Sequence, residues 1–500
     1  MITLYHFSSS VSSVFTIIMG KILDSAVLNM VKFNCNTTLM NERDSTMKKT
    51  LLFIISLTLC LSFILSSCSL LAGVITKPEA NPEASVKPDP EPTPDPDPKP
   101  DPDPKPDPDP ILADVPERFK TAYTIDRAKL ERAADAATEK LLALYSEGGN
   151  QFPDTCSIDY QYKFGANNNW TAGMYTGTYL MAYQLTGDER FKNIVEDHID
   201  TFVYRVENRI GMGDHDVGFA FAPSCVGAYK ILGSERARDA ALAAVDYYYD
   251  TGYSKEGKFI IRAFSWNNFD GFRTMIDSQM NASLLFWASD CTHSMKYATA
   301  AENHTLTTVD LIVRDDGSTY HHYQFDPETA EPLYGLTWQG YADESCWSRG
   351  QSWGVYGFSI AYSYTQNQEI LDAQRDVTYY MLNHLPEDLI PYWDYTFTSG
   401  DEPRDASAAA IAVCGMLDMA EMLPEDSEQR LIYESAAAQI MEALIDKYTG
   451  DCGVEYDGLL HGVTHALPQG RGIEECAPYA DYFYLEALAR YLNEDFIRPW

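Results

Sequence analysis

The stretch Gly271-Phe-Arg-Thr-Met-Ile-Asp277-Ser-Gln-Met-Asn281 runs directly into Ala-Ser-Leu-Leu-Phe-Trp287-Ala. An acidic residue follows the apolar pair Met275-Ile276 and stands where a helix-like apolar run begins. That position suits an N-cap, whose carboxylate accepts from the free N–H groups of the first turn. It suits equally a carboxylic acid held at a helix mouth for chemistry. The same motif, an irregular polar loop entering an apolar helix, recurs along the chain, and its recurrence decides the fold.

Apolar spacing predicts helices at about 126–145, 171–186, 188–206, 217–232, 235–250, 278–289, 291–306, 349–365, 367–384, 405–421, 427–446 and 478–492. Turn signals at Thr186-Gly187-Asp188, Leu232-Gly233-Ser234, Thr365-Gln366-Asn367 and Leu423-Pro424-Glu425 join them into antiparallel hairpins. A strand-like insert is expected near 307–326, with Val313-Arg-Asp-Asp-Gly317-Ser318 as a hairpin turn. The pair lengths vary too much for a tetratricopeptide-like solenoid. Helices in consecutive pairs predict an all-α toroid with alternate members inside. The second member of each pair follows a loop rich in Trp, His, Asp or Arg: Asn169-Trp170, His215-Asp216, Ile276-Asp277, Trp347-Ser-Arg349, Arg404-Asp405 and Tyr479-Ala-Asp481. If those helices run parallel around an inner ring, their N-termini share one rim. The polar residues then meet at one mouth, in a positive field suited to a carboxylate ligand.

Composition narrows the ligand. The formal net charge of −36 opposes binding of nucleic acid and long polyanions, so an anionic ligand must be small and locally held. The 33 tyrosines and 8 tryptophans suit a carbohydrate cleft as well as an ordinary core. The ten cysteines contain no C-x-x-C pair and no metal-type spacing with His, so neither a zinc site nor a disulfide framework is expected.

Four segments are expected. Residues 1–46 fit no signal layout and read as an extension upstream of a true start at Met47. Residues 47–68 have a basic start, an apolar run and a small-residue end, the layout of a secretory signal. Its ending, Leu65-Ser66-Ser67-Cys68, resembles a bacterial lipobox, which implies lipidation of Cys68 and anchoring in the bacterial cell envelope; a transmembrane helix is the competing reading. Residues 69–113 are dominated by Pro-Asp and Pro-Lys repeats, a polyproline-II spacer rather than a core-forming segment. The folded domain then occupies 114–500.

Two loop carboxylates, Asp216 and Asp277, form a candidate acid/base pair. Close carboxylates raise one another's proton affinity, and an aromatic pocket adds desolvation. With these in place, the domain resembles the unsaturated glucuronyl hydrolases of glycoside hydrolase family 88. The stretches carrying the resemblance are NNNWTAGMYTG (167–177), HDVGF (215–219), IDSQMNASLLFWA (276–288), VRDDGSTYH (313–321), TWQGYADESCWSRGQSWGVYGF (337–358), RDASAAAIA (404–412) and ADYFYLEAL (480–488).

The resemblance implies an (α/α)6 barrel that acts without a cofactor, as a monomer, on the products of polysaccharide lyases. Such enzymes hydrate the C4=C5 vinyl ether of a non-reducing-end unsaturated uronic acid instead of attacking the anomeric carbon. It implies that Asp277 is the general acid/base and Asp216 the second essential carboxylate. It also implies that His215, His321, Gln339 and Arg349 are polar substrate contacts and that Trp170 and Trp353 are aromatic walls. No metal is implied. Arg349 has an alternative as a structural partner of Asp343 or Glu344, and Arg404-Asp405 is expected to tie loops together. Two departures stand out: Trp338 occupies a place where the family pattern implies His, and 461–476 lacks the Ser/Lys-rich pattern of sulfate-accepting members, leaving Arg471 as an anion donor. The rival readings are an unsaturated rhamnogalacturonyl hydrolase, a polysaccharide lyase, which the charge opposes, and a non-catalytic glycan-binding lipoprotein.

Overall fold

The computed structural model describes residues 115–264, 271–450 and 452–500. The expected extension, signal, lipidation site Cys68 and Pro/Asp spacer lie outside the described residues. No described helix is long and apolar enough to cross a membrane.

The predicted hairpins are present. The outer helices are α1 (Arg127–Gly148), α3 (Glu189–Asn208), α6 (Glu235–Gly252), α9 (Met295–Leu311), α11 (Gln368–His384) and α13 (Glu428–Tyr448). The inner members are α2 (Ala172–Thr186), α10 (Ser348–Thr365), α12 (Ala406–Met422), α14 (Pro478–Leu492) and two interrupted helices. One of these is α4 (Val217–Phe221) joined to α5 (Gly227–Leu232) by a π-helical turn at Ala222–Val226, where Pro223 lacks the N–H an α-helical bond would need. The other is α7 (Ser278–Asn281) followed, after a break at Ala282, by α8 (Ser283–Thr292). Inner neighbours touch in the order α2, α4–α5, α7–α8, α10, α12, α14, and α14 closes the ring on α2. This is an (α/α)6 barrel.

Sequence separates the two rings. In α1 the buried residues Leu130, Ala134, Ala137, Leu141 and Leu144 follow the three–four spacing of a single apolar stripe. In α12 every residue from Ala406 to Met416 is buried, which its Ala-rich, nearly uncharged sequence permits. Small residues set the ring's closeness: a Cβ on Gly173 of α2 would lie 2.2 Å from the Phe219 carbonyl oxygen of α4.

Helix starts divide the same way. Five of the six outer helices are capped by the side chain that precedes them: Asp126, Asp188, Ser234, Asn367 and Ser427 each accept a first-turn N–H. Among the inner starts at Thr171, Asp216, Asp277, Trp347, Asp405 and Ala477, only Asp405 does so. The expectation that Asp277 caps its helix is therefore corrected. Its carboxylate makes no capping hydrogen bond, and it is left for the cavity above.

The insert also differs from expectation. The Thr307–Ile312 run, which its β-branched residues mark as strand-like, continues α9 as far as Leu311 because α9 packs on α8 and on strand β1 (Phe259–Ile260). The turn at 314–317 is real but closes only a single bridge between Val313 and Thr319. The principal sheet has three antiparallel strands in sequence order, β2 (Arg273–Met275), β3 (His322–Phe325) and β4 (Pro332–Leu336).

Candidate active site

Packing between α4 and α7 brings the two acids together. A Cβ on Gly218 would lie 2.4 Å from the Asn281 carbonyl oxygen, so the helices meet backbone to backbone at that point. Asn281 then ties the two starts. Its Oδ1 accepts the Phe219 N–H at 2.6 Å, and its Nδ2 donates to the Asp277 carbonyl at 3.0 Å. The sheet adds the third group. Met275 pairs with His322, and the Ile276 N–H donates to the His321 carbonyl at 3.0 Å, which sets His321 beside Asp277.

A cavity of about 270 Å³ opens at this rim. All eight residues named from sequence line it: Asp277, Asp216, Trp170, His215, His321, Gln339, Arg349 and Trp353. Two of them do so differently from expectation. Trp353 is 1% exposed and wedged against Phe219 and Phe483, at ring distances of 4.9 and 5.5 Å, so it forms the floor rather than an open wall. Arg349 is also buried, and its partner is neither Asp343 nor Glu344 but Asp405, at 2.5 Å. It further donates to the carbonyls of Thr464 and His465, so the expected loop-tying role of Asp405 runs through Arg349. The half-buried Trp170 is the open aromatic wall, stacked on Tyr479 at 5.1 Å.

Proton positions follow from the hydrogen bonds. The Nδ1 of His321 accepts the backbone N–H groups of Trp338 and Gln339, each at 3.2 Å, so the ring proton sits on Nε2. That Nε2 faces Asp277 Oδ2 at 3.7 Å, beyond hydrogen-bond distance, and neither atom has a hydrogen-bond partner. Burial holds His321 well below the ordinary imidazole range, helped by Arg273 and Arg349, so the ring is neutral. The Nδ1 of His215 donates to the Arg262 carbonyl at 3.2 Å, leaving its Nε2 bare toward Asp216 Oδ1 at 3.3 Å.

Both carboxylates hold protons more tightly than usual. Burial, opposed by His215 and reinforced by Asp216, raises Asp277 to about 6. Burial and then Asp214 push Asp216 well above the carboxylate range; a fifth of its side chain stays open to the cavity, which moderates the rise. A protonated Asp216 can donate to the bare Nε2 of His215. The arrangement therefore supplies a weak acid, Asp277, in a buried site beside a second carboxyl whose negative charge, when ionised, favours the proton staying on Asp277.

Sequence reasoning left several lining residues without a role: Arg262, His322, Trp347, His465 and Gln469. Trp347 stood in a quoted motif, and its ring lies 4.4 Å from that of His321. Arg262, within an apolar Ile-Ile-Arg-Ala-Phe run, gave no local signal. Among the described residues, the one group with metal-ligating composition is Asp214, His215 and Asp216, whose ligand atoms lie within 4.8 Å of one another. Two atoms of these side chains are engaged internally, His215 Nδ1 with the Arg262 carbonyl and Asp214 Oδ1 with the Asp216 N–H at 3.1 Å. The seven described cysteines are free thiols.

Known proteins resemble this chain in sequence and fold. The unsaturated chondroitin disaccharide hydrolase of Streptococcus pneumoniae (strain ATCC BAA-255 / R6) is 38% identical over 381 residues, covering 76% of this chain and 96% of its own length. The unsaturated glucuronyl hydrolase of Bacillus sp. (strain GL1) is 33% identical over 347 residues, with 68% and 91% covered. The crystal structure of the unsaturated glucuronyl hydrolase from Streptococcus agalactiae superposes with a TM-score of 0.74 at 36% identity, covering 77% of this chain and 96% of that one. A mutant of that enzyme, complexed with dGlcA-GalNAc6S, superposes at 0.69 and 34% identity, with 78% and 98% covered. The family model of Glycosyl Hydrolase Family 88 matches residues 149–466, well over half of the sequence, and the chain belongs to that family.

Proposed function

We propose that the protein removes the non-reducing-end 4,5-unsaturated uronic acid from lyase-generated glycosaminoglycan-type disaccharides by hydrating the C4=C5 bond. The observation that carries the reading is Asp277, a buried carboxyl that caps nothing, binds its proton up to about pH 6 and faces the cavity opposite Asp216. Asp277 gives its proton to C4, and positive charge develops at C5 and the ring oxygen. Water adds to C5 while the carboxylate of Asp277 takes one of its protons, so the acid is regenerated. The hemiketal at C5 opens to a ketone, and the freed hemiacetal at C1 collapses to release the next sugar. One water is consumed, and no step requires a metal or an attack on the anomeric carbon.

The remaining roles follow from position. Asp216, paired with His215, binds ring hydroxyls and helps keep Asp277 protonated. His321 presents its Nε2–H 3.7 Å from Asp277 Oδ2, where it can steady the carboxylate after proton transfer. Trp170 stacks on the sugar, Trp353 supports the floor, and Gln339 and Arg349 hold polar groups of the uronate side. The lipobox-like Leu65-Ser66-Ser67-Cys68 supports a lipid anchor at Cys68 and a place in the cell envelope. The test is to incubate the protein with an unsaturated chondroitin disaccharide and follow its ultraviolet absorbance. Hydration bleaches the conjugated chromophore, whereas a lyase would create it and a binding protein would leave it unchanged.

A further inference from the structure

The loop at 337–345, between β4 and α10, leaves the sheet whose middle strand starts just after His321 and forms the outer lip of the cavity. It has no regular secondary structure, yet its backbone is held almost residue by residue. The Thr337 N–H donates to Asp343 at 2.9 Å, those of Trp338 and Gln339 to His321, that of Gly340 to Thr337 Oγ1 at 2.8 Å, and that of Tyr341 to Asp394 at 2.9 Å. The Trp338 carbonyl accepts from Gln469 at 2.6 Å, and Gln339 Nε2 donates to the His465 carbonyl at 2.8 Å. On this fixed backbone stand two large rings that face water, Trp338 at 55% exposed and Tyr341 at 59%.

Neither ring floats free. The Arg273 guanidinium lies 5.9 Å from the Trp338 ring, and Tyr341 is braced edge-on by Phe397 at 5.2 Å and Trp393 at 6.2 Å. Trp338 belongs to the cavity lining, whereas Tyr341, three residues further, does not. Rigid, pre-placed aromatics at the lip of a cleft lower the ordering cost of binding a flat apolar face, and the C–H faces of a pyranose present one.

We propose that this loop is a sugar-binding ledge, on which Trp338 stacks with the leaving sugar and Tyr341 with the sugar that follows it. The inference rests on the reaction above, since it needs the unsaturated uronate seated at Asp277. Charge specifies the second sugar. Tyr341 is followed by exposed Asp343 and Glu344, and its own N–H is held by Asp394, so a neutral sugar is favoured there over a uronate.

The test compares two substrates of one series: an unsaturated glucuronyl-glucose disaccharide, and a tetrasaccharide with three neutral sugars behind the unsaturated glucuronate. The wild type is expected to have a kcat/KM about fivefold higher on the tetrasaccharide. Tyr341→Ala is expected to bring that ratio to about one, and Tyr341→Phe to keep it. Trp338→Ala is expected to lower kcat/KM about tenfold on both substrates, chiefly through KM. A wild-type ratio of one, or a ratio unmoved by Tyr341→Ala, overturns the ledge while leaving the reaction standing. Failure to bleach any unsaturated substrate overturns the reaction, and the ledge with it. Both rings are exposed, so the variants fold, and circular dichroism checks this directly.

Discussion

Replacing Asp277 by Asn should destroy activity and at the same time stabilise the protein, and the second effect depends on pH in a defined direction. In the unfolded chain the carboxyl titrates near 3.8; in the fold, burial moves it to about 6. At roughly 1.4 kcal/mol per pH unit, ionising it in the native state costs on the order of 3 kcal/mol. Below the unfolded value both states are protonated and the penalty is absent. Between 3.8 and about 6 the native state alone holds the proton, so stability falls as pH rises; above 6 the full penalty applies. Asn cannot ionise and escapes all of it. Its amide is isosteric with the carboxyl and fits the same place opposite His321 Nε2, 3.7 Å from Oδ2. For a domain of this size roughly 1–2 °C accompanies each kcal/mol, so the melting temperature of Asp277→Asn should exceed wild type by about 3–6 °C at pH 8. The excess should fade toward nothing near pH 4. Thermal scans of both proteins across that range measure it, alongside the bleaching assay. The wild-type kcat/KM should fall about tenfold per pH unit above 6, as the donor loses its proton. A variant that melts below wild type at every pH, or a melting difference flat with pH, refutes the buried-acid argument. Retained bleaching refutes the assignment of the donor.

Further expectations concern the scaffold. Asp405→Ala strands the buried Arg349 guanidinium and should cost about 3–5 kcal/mol, whereas Glu131→Ala, which breaks an exposed pair with Arg127, should cost under about 0.5 kcal/mol; chemical denaturation of both separates the cases. Gly173→Ala drives a methyl group into the Phe219 and Ala220 carbonyls, at 2.2 and 2.3 Å, so it should destabilise by roughly 1–3 kcal/mol. Because the displaced backbone lies just beyond Asp216, kcat should fall with stability.

The helical frame was legible because its signals are local. Apolar stripes at helical spacing and the capping residues Asp126, Asp188, Ser234, Asn367 and Ser427 mark the starts of five outer helices to within a residue, whereas α9, which has no capping side chain, starts at Met295 instead of near 291. The one-sided loops predicted a shared rim, and Trp170, His215, Asp216, Asp277 and Arg349, drawn from them, line a single cavity together with His321, Gln339 and Trp353, which the family resemblance supplied. What was not legible depends on contacts far along the chain. Thr307–Ile312 has strand-like residues, but its packing against α8 keeps it helical. Asp277 has the sequence context of a cap, and only the fold reveals that its carboxylate turns away from the helix it precedes. The partner of Arg349 lies 56 residues away at Asp405, whereas the nearer acids Asp343 and Glu344 drew the sequence reading. Arg262 reaches the cavity from a short apolar run whose pattern speaks only of burial.

His321 has a consequence beyond steadying a carboxylate. One edge of its ring faces the proton donor, and the other is held by the backbone of the lip at Trp338 and Gln339. Any rearrangement of that lip to accommodate another leaving sugar must rotate the same imidazole. Substrate choice and proton affinity are thus geared together, and an evolutionary change of substrate in this scaffold would arrive with a displaced pH optimum. Lineages that differ in their sugar would then differ also in the acidity at which they work best.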